Sequence, residues 1–382
     1  MDLVYLDNNA TTALDQRALD AMLPYFRDFY GNASSVHRFG QRSRHAIDQA
    51  RQQLAQLIGC GDTELIFTAG GTEAINTAIR SLLATRAPRR KVVTSTVEHS
   101  ATRELCRELA LSGIEIVEIP VDRSGALDME ALAATVADDV ALVTIMWANN
   151  ETGVIFPVEK IAAICREKAV PFHCDGTQAV GKIPVHVRAN QIDLVSMAAH
   201  KFHGPKGVGA LYVRRGVRVR PLMIGGPQEA GRRGGTENVP GIVAMGEAAE
   251  LAAQFLPQMR QVAALRDRLE SSILATIEET YVNGDREHRL PNTSNISFAR
   301  LEAEAILLLL SEQGICASAG AACSSGSLEP SHVLRAMKVD DRIAHGAIRF
   351  SLSRFTTAEE VDQALQVLPR VIERLRAVLP TG

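Results

Sequence analysis

Between positions 64 and 213 the chain alternates between two kinds of hydrophobic pattern. Short β-rich runs lie at Glu64–Thr68, Lys91–Ser95, Glu115–Ile119, Val140–Met146, Pro171–Cys174, Ile192–Met197 and Val208–Val213. Amphipathic stretches separate most of them, at Thr72–Thr85, Ser100–Leu111 and Val158–Lys168. Runs of the first kind fit strands buried on both faces, and stretches of the second fit helices. Their alternation predicts βαβ units and a mainly parallel sheet in an α/β fold. Ligands on such sheets sit beyond the carboxyl ends of the strands.

After Thr236 the pattern changes. A helical stretch runs from Pro240 to Ile277, with Pro240 suited to its first turn and Pro257 expected to break it. A domain boundary is therefore expected near Pro257. Beyond it, Asn295–Phe298 and Ala347–Leu352 read as strands and Glu302–Glu312 as a helix. Thr357 with Glu360 forms a capping box for a last helix ending near Pro380. This half reads as a smaller α+β domain. Within it, Ala317–Ser327 consists of small residues around Cys323. It is expected to be a mobile, exposed loop with nothing to pack into a core.

Composition narrows the field. The 382 residues are 46% hydrophobic and 22% charged, with a net charge of -3, which describes an ordinary globular chain. No bulk field attracts nucleic acid or an anionic membrane. Aromatics make up only 4%, too few for a base-stacking surface. Met1–Tyr5 has no signal-peptide character, and the longest apolar run, Ala305–Leu310, is far too short to cross a bilayer. The six cysteines form no CxxC pair. A cytoplasmic location with reduced thiols is expected.

Several strand ends carry chemistry. Lys201 follows one strand, where a lysine of lowered pKa forms a Schiff base with an aldehyde cofactor; the plain alternative is a surface lysine before a turn. Asp175 ends another. An acid there suits the ring nitrogen of pyridoxal phosphate, and Gln178 could donate to the ring's phenolate oxygen. Alone, such an Asp is a helix cap. Gly70-Gly71-Thr72 joins a strand to a helix, and free N–H groups at that point bind phosphate. The turn lacks the lysine of a P-loop and the spacing of GxGxxG. His99 could stack on a cofactor ring and move protons, although a lone histidine is more often structural. Asn149, Asn150 and Glu151 cluster at a further strand end, and burying them without partners would be unfavourable.

Taken together, the segments Leu6–Thr12, Gly70–Glu73, Glu98-His99, Ala148–Gly153, Asp175–Gln178, His200-Lys201, Arg233–Glu237, Cys323–Ser331 and Ile348–Ser351 resemble the cysteine desulfurases of the NifS/IscS family. These are class-V aminotransferase-like enzymes that use pyridoxal phosphate. The segments run in the family's order over nearly the whole chain. Trp147–Asn150 and Leu328–His332 look most like the nitrogen-fixation type.

The resemblance implies fold type I: a large domain over 13–256 with a mainly parallel seven-stranded sheet, and a small one made of 1–12 and 257–382. It implies that Lys201 holds the cofactor, Asp175 pairs with the ring nitrogen, and Gln178 and Asn150 contact the phenolate side. His99 stacks and relays protons. Gly71, Thr72, His200 and the backbone near Ala198 bind the phosphate, and Thr236 reaches the phosphate in the partner subunit of a homodimer. Arg349 and Asn150 bind the substrate. The Cys323 thiolate takes sulfur from L-cysteine as a persulfide, alanine leaves, and the sulfur passes to an acceptor such as an iron–sulfur scaffold, with nitrogenase assembly among the implied uses. Transient iron–sulfur ligation through Cys323 is a further implication. The other cysteines are expected to be structural.

Three departures stand out. Ala33 replaces a usual proline, which should loosen a turn. Ala198 replaces a common serine, removing a hydroxyl from the phosphate site. Leu379–Gly382 closes the chain without the tail that helps the housekeeping branch dock its scaffold. Two other readings compete. Another lyase or aminotransferase of this cofactor class leaves the Cys323 loop unexplained, and a non-catalytic sulfur carrier leaves the cofactor residues unexplained.

Overall fold

The computed structural model describes residues 3–319 and 330–378. In chain order the strands are β1 (Val4–Tyr5), β2 (Leu65–Thr68), β3 (Lys91–Ser95), β4 (Glu115–Ile119), β5 (Val140–Met146), β6 (Phe172–Asp175), β7 (Leu194–Ala198), β8 (Gly209–Val213), β9 (Thr280–Val282), β10 (Thr293–Phe298), β11 (Ile315–Cys316) and β12 (Ala347–Ser351). Strands β2 to β8 form one seven-stranded sheet in the order β2-β8-β7-β6-β5-β3-β4. The pairs among β7, β6, β5, β3 and β4 are parallel, whereas β8 runs antiparallel to both β7 and β2. The chain order has a direct cause. Only eleven positions separate Ala198 from Gly209, too short a link for a helical crossover, so the chain turns back beside β7.

The crossovers are helical: Gly71–Thr85, Ser100–Leu111 and Val158–Glu167 begin or end within a residue of where their amphipathic patterns do. Three helices precede the expected alternation, Gln16–Met22, the short Pro24–Arg27 and, last, Arg38–Ile58. The last is rich in Arg and Gln and buries mainly small residues such as Gly40, Ser43, Ala46 and Ala50 against the helix Val239–Phe255. That face gives little hydrophobic signal. The long stretch from Pro240 breaks where Pro257 sits, since a 3₁₀ turn at Leu256–Gln258 separates Val239–Phe255 from Met259–Thr276.

A second core lies around the antiparallel sheet β12-β10-β9. It joins Val4 and Leu6 to Leu269, Ile273, Ile296, Phe298, Ile306, Ile348 and Leu368. Ala317 and Ala319 pack against it, and Ser318 is buried and bridged to Arg349. The start of the small-residue stretch is thus part of the packing, contrary to expectation; Cys323 lies outside the described residues. Val333, Leu334, Met337 and Ala344 pack into the first core instead. The capping box closes as read: Thr357 N–H donates to Glu360 (2.8 Å) and Glu360 N–H to Thr357 Oγ1 (3.2 Å). Ala33 is buried in the first core.

Candidate active site

Strands β5, β6 and β7 end side by side, and their last residues, Met146, Asp175 and Ala198, open onto one cavity of about 180 Å³. Ala148, Asn150, Thr177, Gln178, His200 and Lys201 follow those strands into its wall. The remaining wall comes from helix starts: Gly71, Thr72 and Ile75 on one, His99 and Ala101 on another. Parallel strands with short connections bring these distant segments to one edge.

Lys201 ends a 3₁₀ turn, and its Nζ donates to the carbonyls of Asn9 (2.6 Å) and Ala10 (2.8 Å). Asp175 Oδ1 accepts from Thr177 N–H at 3.0 Å, so the acid is held at the strand end. Gln178 is buried, and its Nε2 donates to the Asn9 carbonyl at 2.9 Å. His99 caps its helix: Nδ1 accepts from Ala101 N–H at 3.1 Å. The ring's proton therefore resides on Nε2 when His99 is neutral. Burial, with the charge of Lys201, pulls its pKa below the ordinary value despite Asp175. His200 Nδ1 meets Thr11 Oγ1 at 3.1 Å. Burial and the cations Lys201, Lys206 and Lys182 lower its pKa to about 4.

The Asn150 carbonyl accepts from Arg349 Nη1 (3.0 Å), while Arg349 Nη2 donates to Asp7 at 2.6 Å. Arg349 is 2% exposed and stands beside the cavity rather than on its wall. Thr236 lines a neighbouring depression with Gly235, Glu237 and Arg233. Asn149 is a structural residue: its Oδ1 accepts from Glu151 and Thr152 N–H and its Nδ2 donates to Val97. Glu151 accepts from Ser331 at 2.5 Å.

Three contributors escape the sequence reading. Thr177 lies between Asp175 and Gln178, and its Oγ1 is buried at the cavity with no hydrogen-bond partner among the described residues. Asn9 ties Lys201, Gln178 and Asn150 together, and only its place in a matching segment hinted at it. Lys182 is buried behind Gln178. Glu98 is fully buried, and burial with the nearby Asp175 charge raises its pKa to about 8.

These residues fit pyridoxal phosphate. A side chain on Gly71 would fill the gap beside Thr177 Oγ1 (3.2 Å) and the Ala198 methyl (3.5 Å). That gap, the orphan hydroxyl and the unspent N–H groups at a helix start make an anion cradle. A lysine and an acid share the wall with it. No cluster of His, Cys, Asp or Glu able to hold a metal ion occurs among the described residues, and the Cys323 metal assignment lies outside them. Burial raises the thiols of Cys60, Cys106 and Cys165 to about 12 and that of Cys174 well above its ordinary value, which makes them poor nucleophiles. Among the described residues no helix is long and apolar enough to cross a membrane.

The family profile of class-V aminotransferases matches residues 4–364, so fold and site define an enzyme of that class. A cysteine desulfurase of Trichormus variabilis is 52% identical over 380 residues, covering 100% of this chain and 96% of that protein. Cysteine desulfurase NifS of Azotobacter vinelandii is 50% identical over 379 residues, covering 99% and 94%. A solved NifS-like protein superimposes with a TM-score of 0.92 at 39% identity, covering 98% of this chain and 100% of that one. A structure of SspA in complex with cysteine superimposes at 0.82 with 31% identity, covering 92% and 99%. The chain belongs to the NifS/IscS family of pyridoxal-phosphate-dependent cysteine desulfurases.

Proposed function

We propose that this cavity is where L-cysteine gives up its sulfur to Cys323 and leaves as L-alanine. The observation that carries the reading is Lys201 and Asp175 on one wall, facing the helix start at Gly71 and Thr72 and the Thr177 hydroxyl, which has no hydrogen-bond partner among the described residues. The complex of SspA with cysteine supports the substrate. When bound, pyridoxal phosphate supplies an electron sink that labilises bonds in an amino acid attached to it.

The chain's own residues do the rest. Lys201 holds the cofactor. Asp175 keeps the proton on its ring nitrogen, and Gln178 and Asn150 face the ring oxygen. Gly71, Thr72, His200 and the Ala198 backbone hold the phosphate, joined by Thr236 of the second copy in a twofold homodimer. His99, whose Nδ1 is engaged by Ala101 N–H, would stack on the ring and move protons at Nε2. Arg349 receives the substrate carboxylate, for which its planar guanidinium is suited. The Cys323 thiolate attacks the substrate sulfur. The carbon–sulfur bond breaks, a sulfur–sulfur bond forms, and a proton takes the sulfur's place on carbon. Cysteine plus thiol thus equals alanine plus persulfide, with no outside oxidant.

The persulfide then serves a cytoplasmic acceptor in iron–sulfur cluster assembly; likeness to NifS of Azotobacter vinelandii favours the nitrogen-fixation setting, and transient ligation of a cluster would pass through the same sulfur. The core that joins Val4 and Leu6 to residues between Met259 and Ile372 supports a small domain of 1–12 with 257–382 beside a large one over 13–256, with Val333, Leu334, Met337 and Ala344 packed against the latter.

The test uses cofactor-loaded protein with L-cysteine and a thiol reductant, assaying alanine and sulfide together. Equal yields, with sulfide lost in Cys323→Ala, are expected. Both products persisting in that variant would mean direct elimination. In Lys201→Ala, turnover should fall by at least about a thousandfold.

A further inference from the structure

Lys182 is a buried lysine that the chemistry above does not use. The chain winds tightly after β6: Val180 N–H donates to Gly176 (3.0 Å) and Lys182 N–H to Ala179 (3.0 Å). Positions 178 and 182 therefore lie one helical turn apart on one side. Gly181 has φ +78°, and a Cβ there would come within 2.6 Å of the Phe202 Cβ. Only glycine lets the chain swing the next side chain inward here.

The Lys182 amine then finds two partners, and neither is a carboxylate. It donates to Gln178 Oε1 at 2.5 Å and to Asn9 Oδ1 at 2.9 Å. An amine that donates to both oxygens forces both amides one way round. Gln178 must turn its Nε2 away from Lys182, where one N–H reaches the Asn9 carbonyl and the other is left for the cavity. Asn9 must turn its Nδ2 toward Thr293 Oγ1 (2.8 Å) and the Asn150 carbonyl (3.2 Å). The same Asn9 carbonyl accepts from Lys201. Burying an amine without a counter-charge is unfavourable, so its retention calls for a role.

We propose that Lys182 is a positioning residue: by donating to Gln178 and Asn9 it locks the Gln178 amide nitrogen toward the cofactor's ring oxygen. The proposal rests on the reading that Gln178 faces the cofactor, and the test separates the two. A donor at the ring oxygen stabilises the oxygen's negative charge, so losing it makes protons bind the chromophore more readily.

Gln178→Ala, Lys182→Met and the double variant would be loaded with pyridoxal phosphate. The readouts are the pH midpoint of the visible absorption band and the cofactor Kd by fluorescence titration. The neighbouring groups Lys201, His200, His203, Arg349 and Arg354 stay in every variant. Each single variant should raise the midpoint by about one unit, and the double no further, because Lys182 acts through Gln178. Cofactor Kd should rise by about tenfold, and kcat should fall while KM for cysteine holds. A shift in Gln178→Ala with none in Lys182→Met overturns the positioning role alone. No shift in Gln178→Ala overturns the cofactor contact and the proposal with it. Melting curves report folding. Should Lys182→Met not fold, Lys182→Leu, which also removes the donor, should move the midpoint as far; no movement overturns the role.

Discussion

Two glutamates are almost equally buried, Glu98 at 0% and Glu270 at 1% exposure, yet they titrate in opposite directions. Glu270 belongs to the core around β10. Burial pushes its pKa up, but Arg289 donates to both oxygens (2.5 and 3.0 Å) and Ser294 to one (2.6 Å), and these bonds with the nearby arginine charges bring it below the ordinary value. Glu98 lies just behind His99 at the cavity. Burial raises its pKa first, and the Asp175 charge adds to that, against donors from Ser95 (2.6 Å) and Met146 (3.0 Å) on one oxygen only. Its other oxygen has no partner. At Glu270 donors are matched to both carboxylate oxygens. Thr177 on the cavity wall and Glu98 next to His99 are left partly unmatched among the described residues, at a cost in stability.

The largest effect should come from breaking the matched side. Glu270→Gln leaves the buried Arg289 with only the exposed Asp267, at 3.5 Å, as counter-charge and should destabilise the fold by about 3 kcal/mol, read from urea unfolding. A loss below about 1 kcal/mol would show that the pair is no more than a surface bridge in energy. The unmatched side is probed by Thr177→Val, which removes a hydroxyl with no protein partner. It should leave the apo protein's melting temperature alone while weakening pyridoxal phosphate binding about tenfold. An unchanged cofactor Kd, or a lower melting temperature, would place the hydroxyl on the architectural side.

The smallest effect sharpens the contrast by its sign. Folded Glu98 holds a proton up to about pH 8, while an unfolded glutamate loses it near 4.3, so this group erodes stability as pH climbs through that window. Glu98→Gln mimics the protonated carboxyl and should flatten that slope, changing stability by no more than about 1 kcal/mol at pH 6. Glu270 works the other way. Its lowered pKa contributes stability above the unfolded value that is lost as pH falls through the folded one. Urea midpoints from about pH 2 to 9 for the two variants should show the two slopes removed separately, that of Glu270 at the acid end.

The hydrophobic pattern alone determined the seven main strands: six are buried along nearly their whole length and leave short β-rich runs, and β4, at the sheet edge, still carries a β-branched centre between exposed glutamates. It also marked the break at Pro257 and the Thr357–Glu360 cap, since both are local chemistry. Lys201, Asp175, Gln178, His99 and Gly71-Thr72 could be singled out because each sits where a strand or helix begins or ends. Tertiary structure decided the rest. Helix Arg38–Ile58 buries small side chains that carry little hydrophobic signal. The reversal of β8 depends on a short link rather than on its own residues. Asn9, Thr177 and Lys182 look like ordinary polar residues in sequence. What makes them part of the site is which partners they meet, or fail to meet, once segments more than 150 positions apart pack together and exclude water.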